Sequence, residues 1–404
     1  MLKNFIIVIV VLGSMAFFQP VFIDRQMTGI IHMGIIALIT VLLLLYSIYD
    51  TSKKIRATFT FEIILLLFAV GLSMIGAYIF HYQEVQITLL AQRAIYFFLF
   101  YYLLHQLKPN PRFVIRMFVA ISIVWAILYI IQWIAYPTHL FGEQMFKDRN
   151  TIRIFLPGVT YSVVAYFICL FKFLQTNHYK YLPPIFLLLM VFVLLGTRQL
   201  LGPTLLITIL AVIQSKKVHS KFAIAMLGLA SLIPIYFIFQ DIFNAMIDVT
   251  RQQSISVTEN IRFKAASFYL YRFAPGKLSF FLGNGAYGGH SSYSMMMDNY
   301  SKVFGYYLSD IGIIGEFILY GIIFAVAELI ILFKMAFIKY AEEFLFIKYV
   351  VYSMFFAIFV GSGAFGTAEG IVMMCLLFYL VDVSKWMRKA VPDASTQLQH
   401  ANEA

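Results

Sequence analysis

Most of the residues able to do chemistry fall in one interval. Between Ile242 and Gly315 an otherwise apolar chain carries Arg251, Arg262, Lys264, Arg272, Lys277, His290, Asp298 and Lys302. His290 closes a glycine-rich run, GNGAYGGH, and a glycine backbone can approach a ligand closely because no Cβ intervenes. An imidazole with an unperturbed pKa of about 6.5 suits removal of a proton from a sugar hydroxyl. On spacing alone, the competing reading of such a residue is a solvated loop histidine.

Two further cations stand in apolar surroundings: Arg93 in LLAQRAIYFF and Arg198 in GTRQLLGP. A guanidinium at that depth snorkels to the interface, faces a cavity or meets an anion. Arginines around one outward cavity suit a diphosphate, because each planar fork grips phosphate oxygens in pairs and never loses its charge. A lipid-linked diphosphate meets such a site from within a bilayer. Glu62, Glu316, Glu328 and Glu369 also lie in or beside apolar stretches, where the ordinary expectation is pairing with Lys, Arg or a backbone donor. The sequence holds no HExxH, Walker loop, Gly-x-Ser-x-Gly elbow or Cys/His cluster, which argues against metalloprotease, ATPase and serine hydrolase chemistry. Cys169 and Cys375 fall inside apolar stretches and read as small buried side chains.

The elements that must hold these residues are membrane helices. The 404 residues are 62% hydrophobic and only 12% charged, with a mean hydropathy of +0.86, whereas soluble domains are about a quarter charged. The expected fold is all-α, a polytopic bundle of about twelve spans near 5–22, 28–48, 59–80, 86–105, 114–135, 155–175, 181–197, 201–214, 222–240, 308–333, 346–363 and 367–384. It forms one integral domain over 1–391, with a large extracytoplasmic loop over 241–307 between spans nine and ten. A polar tail at 392–404 is expected to be disordered. The net charge of +11 reads as topology rather than nucleic-acid binding, because Lys and Arg are scattered into short loops. Lys3, Lys53, Lys54, Arg56, Lys108, Arg112, Arg116, Lys172, Lys180, Lys216, Lys217, Lys221, Lys334, Lys339, Lys385, Arg388 and Lys389 are expected on one side, the cytoplasm, with both termini. The N-terminal apolar run reads as an uncleaved first span. The loop at 137–157 carries Lys147, Arg149 and Arg153 on the opposite side. Spans seven and eight are short, so the turn at Gly196 to Pro203 is expected below the outer surface, with Arg198 recessed.

Three segments, GTRQLLG, NIRFKAASFYL followed by FLGNGAYGGH, and DNYSKVFGYYLSDIGIIG, resemble in order and placement the O-antigen polymerase and ligase superfamily of bacterial envelope enzymes. The resemblance covers roughly residues 194–315. It implies a glycosyltransferase of the inner membrane that takes its donor glycan from a polyprenyl diphosphate and uses no cofactor or metal. By the same resemblance Arg198 and Arg262 hold the diphosphate, with Arg272 beside them, and His290 activates the acceptor hydroxyl; Arg93, read from its place in the apolar stretch, is expected to line the same outward-facing cavity as Arg198. Arg272 precedes Gly283 as in the polymerases' loop motif; the earlier outer loop has only Lys147 before Gly158 at that spacing. Two substantial outer loops, and Ser301 where the ligase motif has glycine, favour polymerase over ligase. The expected partners are the lipid-linked oligosaccharide, membrane lipid, a chain-length regulator and a flippase, with no nucleic acid. A transporter or flippase remains the alternative from another class; such proteins are built from two similar halves, and this chain is lopsided.

Overall fold

The computed structural model describes residues 2–49, 57–148, 151–215, 240–241, 244, 247, 260–359, 361 and 365–390. The described residues are 79% helical, and among them the only sheet is one antiparallel hairpin, β1 (Met145–Asp148) with β2 (Thr151–Ile154). The helices are α1 (Leu2–Ser14), α2 (Arg25–Tyr49), α3 (Thr60–His81), α4 (Val85–Ala91), α5 (Leu99–Leu107), α6 (Pro111–Ala135), α7 (Val159–Thr176), α8 (Leu182–Leu194) and α9 (Arg198–Gln214). There follow α10 (Ile261–Phe268), α11 (Lys277–Leu282), α12 (Ser292–Phe304), α13 (Ile313–Phe337), α14 (Phe346–Ala357) and α15 (Ala368–Ala390). Local signals place several starts: Asn110 caps α6 by accepting from the Arg112 amide, with Pro111 in the first turn, and Ser291 caps α12.

Six of these helices are long and apolar enough to cross a bilayer: α2, α3, α6, α7, α13 and α15. A seventh span results if α4 and the stretch Arg93–Leu107, bent from it by 57°, are counted together. The chain is therefore a membrane-embedded all-α protein. The other expected spans over described residues coincide with helices shorter than that; α14, for instance, ends at Ala357 after 12 residues. Span nine (222–240), Lys53, Lys54, Arg56, Arg149, Lys216, Lys217, Lys221, Arg251 and the tail at 392–404 lie outside the described residues, apart from residue 240. The described part of the expected large loop is helical, made of α10, a π-helical turn (Tyr269–Phe273), α11 and α12.

The turn between α8 and α9 is tighter than the sequence suggests. It occupies Leu195–Thr197, and Gly202 and Pro203 lie inside α9. Gly196 makes the reversal at φ +62°, a conformation costly for other residues. The β hairpin lies over this turn, the Thr151 hydroxyl donating to the Leu194 carbonyl at 2.7 Å. That bond satisfies one of the carbonyls a helix end leaves open.

The opposite end is closed by buried ionic contacts. Lys334 Nζ reaches Glu62 Oε1 at 2.6 Å and the Thr58 carbonyl at 2.7 Å, and Lys385 Nζ donates to the Thr58 hydroxyl. Asp382, buried, accepts from Tyr101 (2.5 Å), His105 (3.1 Å) and the Thr58 amide (3.2 Å). Arg116, Lys172 and Lys180 lie within electrostatic reach of one another at this end.

Candidate functional site

The glycine-rich run is a clamp between helices. Asn284 donates both its backbone N–H (3.0 Å) and its Nδ2 (2.8 Å) to the Ile318 carbonyl, and its Oδ1 accepts from His81 Nε2 at 3.0 Å. Gly285 N–H donates to the Leu319 carbonyl at 2.7 Å. Gln83 holds the run from the other side: its Nε2 donates to the Ala286 carbonyl, and its Oε1 accepts from the Gly288 amide and the Ser291 hydroxyl. The His81 ring stacks on Tyr293 with centroids 3.9 Å apart and on Phe273 at 5.4 Å. Tyr293 donates to the Gly285 carbonyl and Tyr269 to the Tyr306 carbonyl. Burial holds both phenols above the ordinary tyrosine range, so they remain donors at physiological pH.

This packing explains the glycines. A Cβ on Gly283 would lie 2.5 Å from the Leu319 carbonyl oxygen, one on Gly285 2.7 Å from the Ser73 carbonyl oxygen, and one on Gly76 of α3 would collide with the Gly283 carbonyl. The sequence assigns the run to close approach of a ligand; in the fold its closest neighbours are α3 and α13.

What the clamp grips is a break in α13. Gly321, at φ +82° and ψ 177°, interrupts the helix, and the Ile318 and Leu319 carbonyls before it are the ones the clamp satisfies. A membrane helix can be broken where such replacement bonds exist. The break also joins two acidic side chains. Glu316 and Glu328 are buried at 6% and 0% exposure, and their carboxyl groups are in hydrogen-bonding contact. In an uninterrupted helix twelve residues advance about 18 Å, which forbids the contact. Among the described residues, no donor reaches any of their four oxygens. The sequence expectation of a Lys, Arg or backbone partner thus holds for Glu62, which meets Lys334, and fails for these two.

Glu328 borders a half-open cavity of about 440 Å³ that runs between α7, α9, α13, α14 and α15. Its lining is mostly apolar. At the hairpin end the polar lining includes Arg153, Asp310, Thr197 of the α8–α9 turn and Gln199 of α9. Arg153 was visible in the sequence only as one of several cations in an outer loop. The Thr160 hydroxyl, also on this wall, has no partner.

The five site residues expected from sequence occupy four places. Arg198 is the first residue of α9, half-buried, in the turn that contributes to the cavity, although its own side chain does not line it. Arg262, half-buried, opens α10, where its amide is capped by Asn260, and Arg272 is exposed on the π-helical turn. His290 is exposed between Gly289 and the cap of α12. Arg93 lies at the bend after α4, with its Nη1 on the Leu90 carbonyl at 3.1 Å. The structure brings two of these neighbourhoods together. Gly288 packs on Ala91, where a Cβ would lie 2.9 Å from the alanine's own, and Gly289 faces Ile87. The His290 loop therefore sits against the helix that leads into Arg93. Arg25 and His32 of α2 complete this corner as neighbours of Arg93, and Arg25 is also within reach of Tyr287 in the glycine run. Neither Arg93 nor Arg198 is among the residues that line the cavity beside the α8–α9 turn.

No group of three or more His, Cys, Asp or Glu among the described residues is arranged to hold a metal ion. Neither a protein-family model nor a curated protein sequence matches this chain.

Proposed function

We propose that this protein is a surface-polysaccharide polymerase of the O-antigen type, which transfers a glycan from a polyprenyl-diphosphate carrier onto a lipid-linked repeat unit. One observation carries the reading: the Arg93 guanidinium, at a helix bend beside the His290 loop, keeps a buried Nε–H with no acceptor among the described residues and has the cation Arg25 as a neighbour. Arg25 Nε reaches Glu143 at 3.4 Å, which leaves the spare donor of Arg93 open to an anion, and a diphosphate fits two planar forks. As the glycosidic bond to the carrier breaks, charge develops on the leaving diphosphate, and fixed guanidiniums stabilise it. His290, exposed beside this corner, would take the proton of the acceptor hydroxyl. Arg198, Arg262 and Arg272 enter the reading through the resemblance described above.

In this reading the chain crosses a bacterial inner membrane about twelve times, keeps both termini cytoplasmic and presents 241–307 outside, where a chain-length regulator and a flippase would join it. Surface glycan from a strain lacking the gene tests the class. A single repeat on core supports polymerase; naked core with carrier-linked polymer points to ligase. Complementation with Arg93→Ala, Arg262→Ala or His290→Ala is expected to give folded protein without long chains, and normal ladders from all three refute the site. A second reading, transport of a lipid-linked oligosaccharide, is favoured by Glu328, because intramembrane carboxyls mark ion pathways. Movement of labelled lipid-linked sugar in vesicles without bond formation would select it.

A further inference from the structure

The carboxyl contact in α13 is a site in its own right. Glu316 and Glu328 lie within the apolar bundle, and the one cationic side chain on the cavity wall, Arg153, is at the hairpin end. Two carboxyl oxygens in hydrogen-bonding contact need a proton between them, since neither carboxylate is a donor. A second bare charge there would cost several kcal/mol with no opposite charge to offset it. The groups facing the pair do not supply one. Tyr320 on the same helix is the neighbour of Glu316, and Tyr96 before α5 and Tyr287 in the clamp neighbour Tyr320 in turn. α14 offers the Ser353 hydroxyl, already given to the Val350 carbonyl, and the 3-10 turn before α13 offers Asp310. The ionisable groups of α3, Glu62 and His81, are engaged by Lys334 and Asn284.

We propose that Glu316 and Glu328 form a shared-proton carboxyl pair that exchanges its proton with the cavity bordered by Glu328, a proton-binding site inside the membrane region of this protein. The break at Gly321 creates the site, and the clamp maintains it. Its ligand is a proton whether the cavity serves a glycan carrier or another molecule.

Dicyclohexylcarbodiimide tests this directly, because it is an apolar reagent that adds a protonated carboxyl across its C=N bond and moves the acid's proton to nitrogen. The full chain in detergent is treated across a pH series, and the modified glutamates are read by peptide mass spectrometry. Modification is expected at Glu328, at no more than one member of the pair per chain, and absent from Glu62, whose Oε1 is engaged by Lys334 Nζ. Glu316→Gln is expected to change the pH dependence of Glu328 modification, and Glu328→Gln to abolish it. Failure of the folded wild-type chain to react at Glu328 overturns the site without any variant having to fold. Simultaneous modification of both glutamates, or identical pH profiles in wild type and Glu316→Gln, overturns the pairing. Loss of polymer in a gene deletion is read separately, so the two proposals fail independently.

Discussion

The clamp around 283–291 and the cavity beside Glu328 lie on opposite sides of the same broken helix, and they spend their polar atoms differently. In the clamp, Asn284 and Gln83 use both ends of their amides on backbone and side-chain partners. At the cavity, Glu328 and Thr160, with Glu316 beside Glu328, keep oxygens that no donor among the described residues reaches. Buried polar atoms are normally paired, and each exception asks for an explanation. The contrast teaches that density of polar residues in a sequence marks a place where the chain must be held. Polar atoms left unpaired beside open space mark a place where something else binds.

Substitution at Gly321 breaks the comparison hardest. Alanine there collides with the Phe281 carbonyl, a backbone atom that cannot swing aside, and must adopt a positive φ. Overpacking alone costs about 1–3 kcal/mol, so Gly321→Ala should lower thermal stability in detergent markedly and remove carbodiimide modification of Glu328 in whatever protein remains. Asn284→Ala comes next. It strips the Ile318 carbonyl of one donor and His81 of its acceptor, for an expected loss of about 2–3 kcal/mol from two buried partners left open.

The glutamates sharpen the contrast. Breaking the Glu62–Lys334 pair with Glu62→Gln should destabilise by about 1–2 kcal/mol, less than a fully buried pair because Lys334 is about one-third exposed. Glu328→Gln should be neutral or stabilising in the same thermal assay, since it removes a carboxyl without a counter-charge. Smallest in stability is His290→Ala: an exposed side chain should shift it by no more than about 0.5 kcal/mol. In cells that variant should still abolish long polymer, which separates a chemical role from a structural one.

Some of the fold was legible because it depends on local pattern. Apolar stretches of bilayer length became α2, α3, α6, α7, α13 and α15, and the short seventh and eighth stretches became α8 and α9 beneath the hairpin. Within the stretch 308–333 the break itself was not legible, because hydropathy averages over Gly321. Nothing in that local sequence says that the chain will bend there; the reason is Phe281, Gly283 and Asn284, about 40 residues earlier, pressing into it. The same holds for the acidic residues. Glu62 and Glu328 read alike, each a lone carboxylate in an apolar run, yet one finds Lys334 and the other finds Glu316.

Composition and periodicity alone therefore determined that this chain is helical, membrane-embedded and most polar in its 242–315 interval, because hydrophobic length and local turn chemistry act within a few residues. Tertiary structure decided which carboxyls are paired with cations, where α13 breaks and which side chains border open space. Those outcomes depend on contacts between distant segments, such as Glu62 and Lys334, 272 residues apart, and on backbone approaches that only the assembled helices enforce.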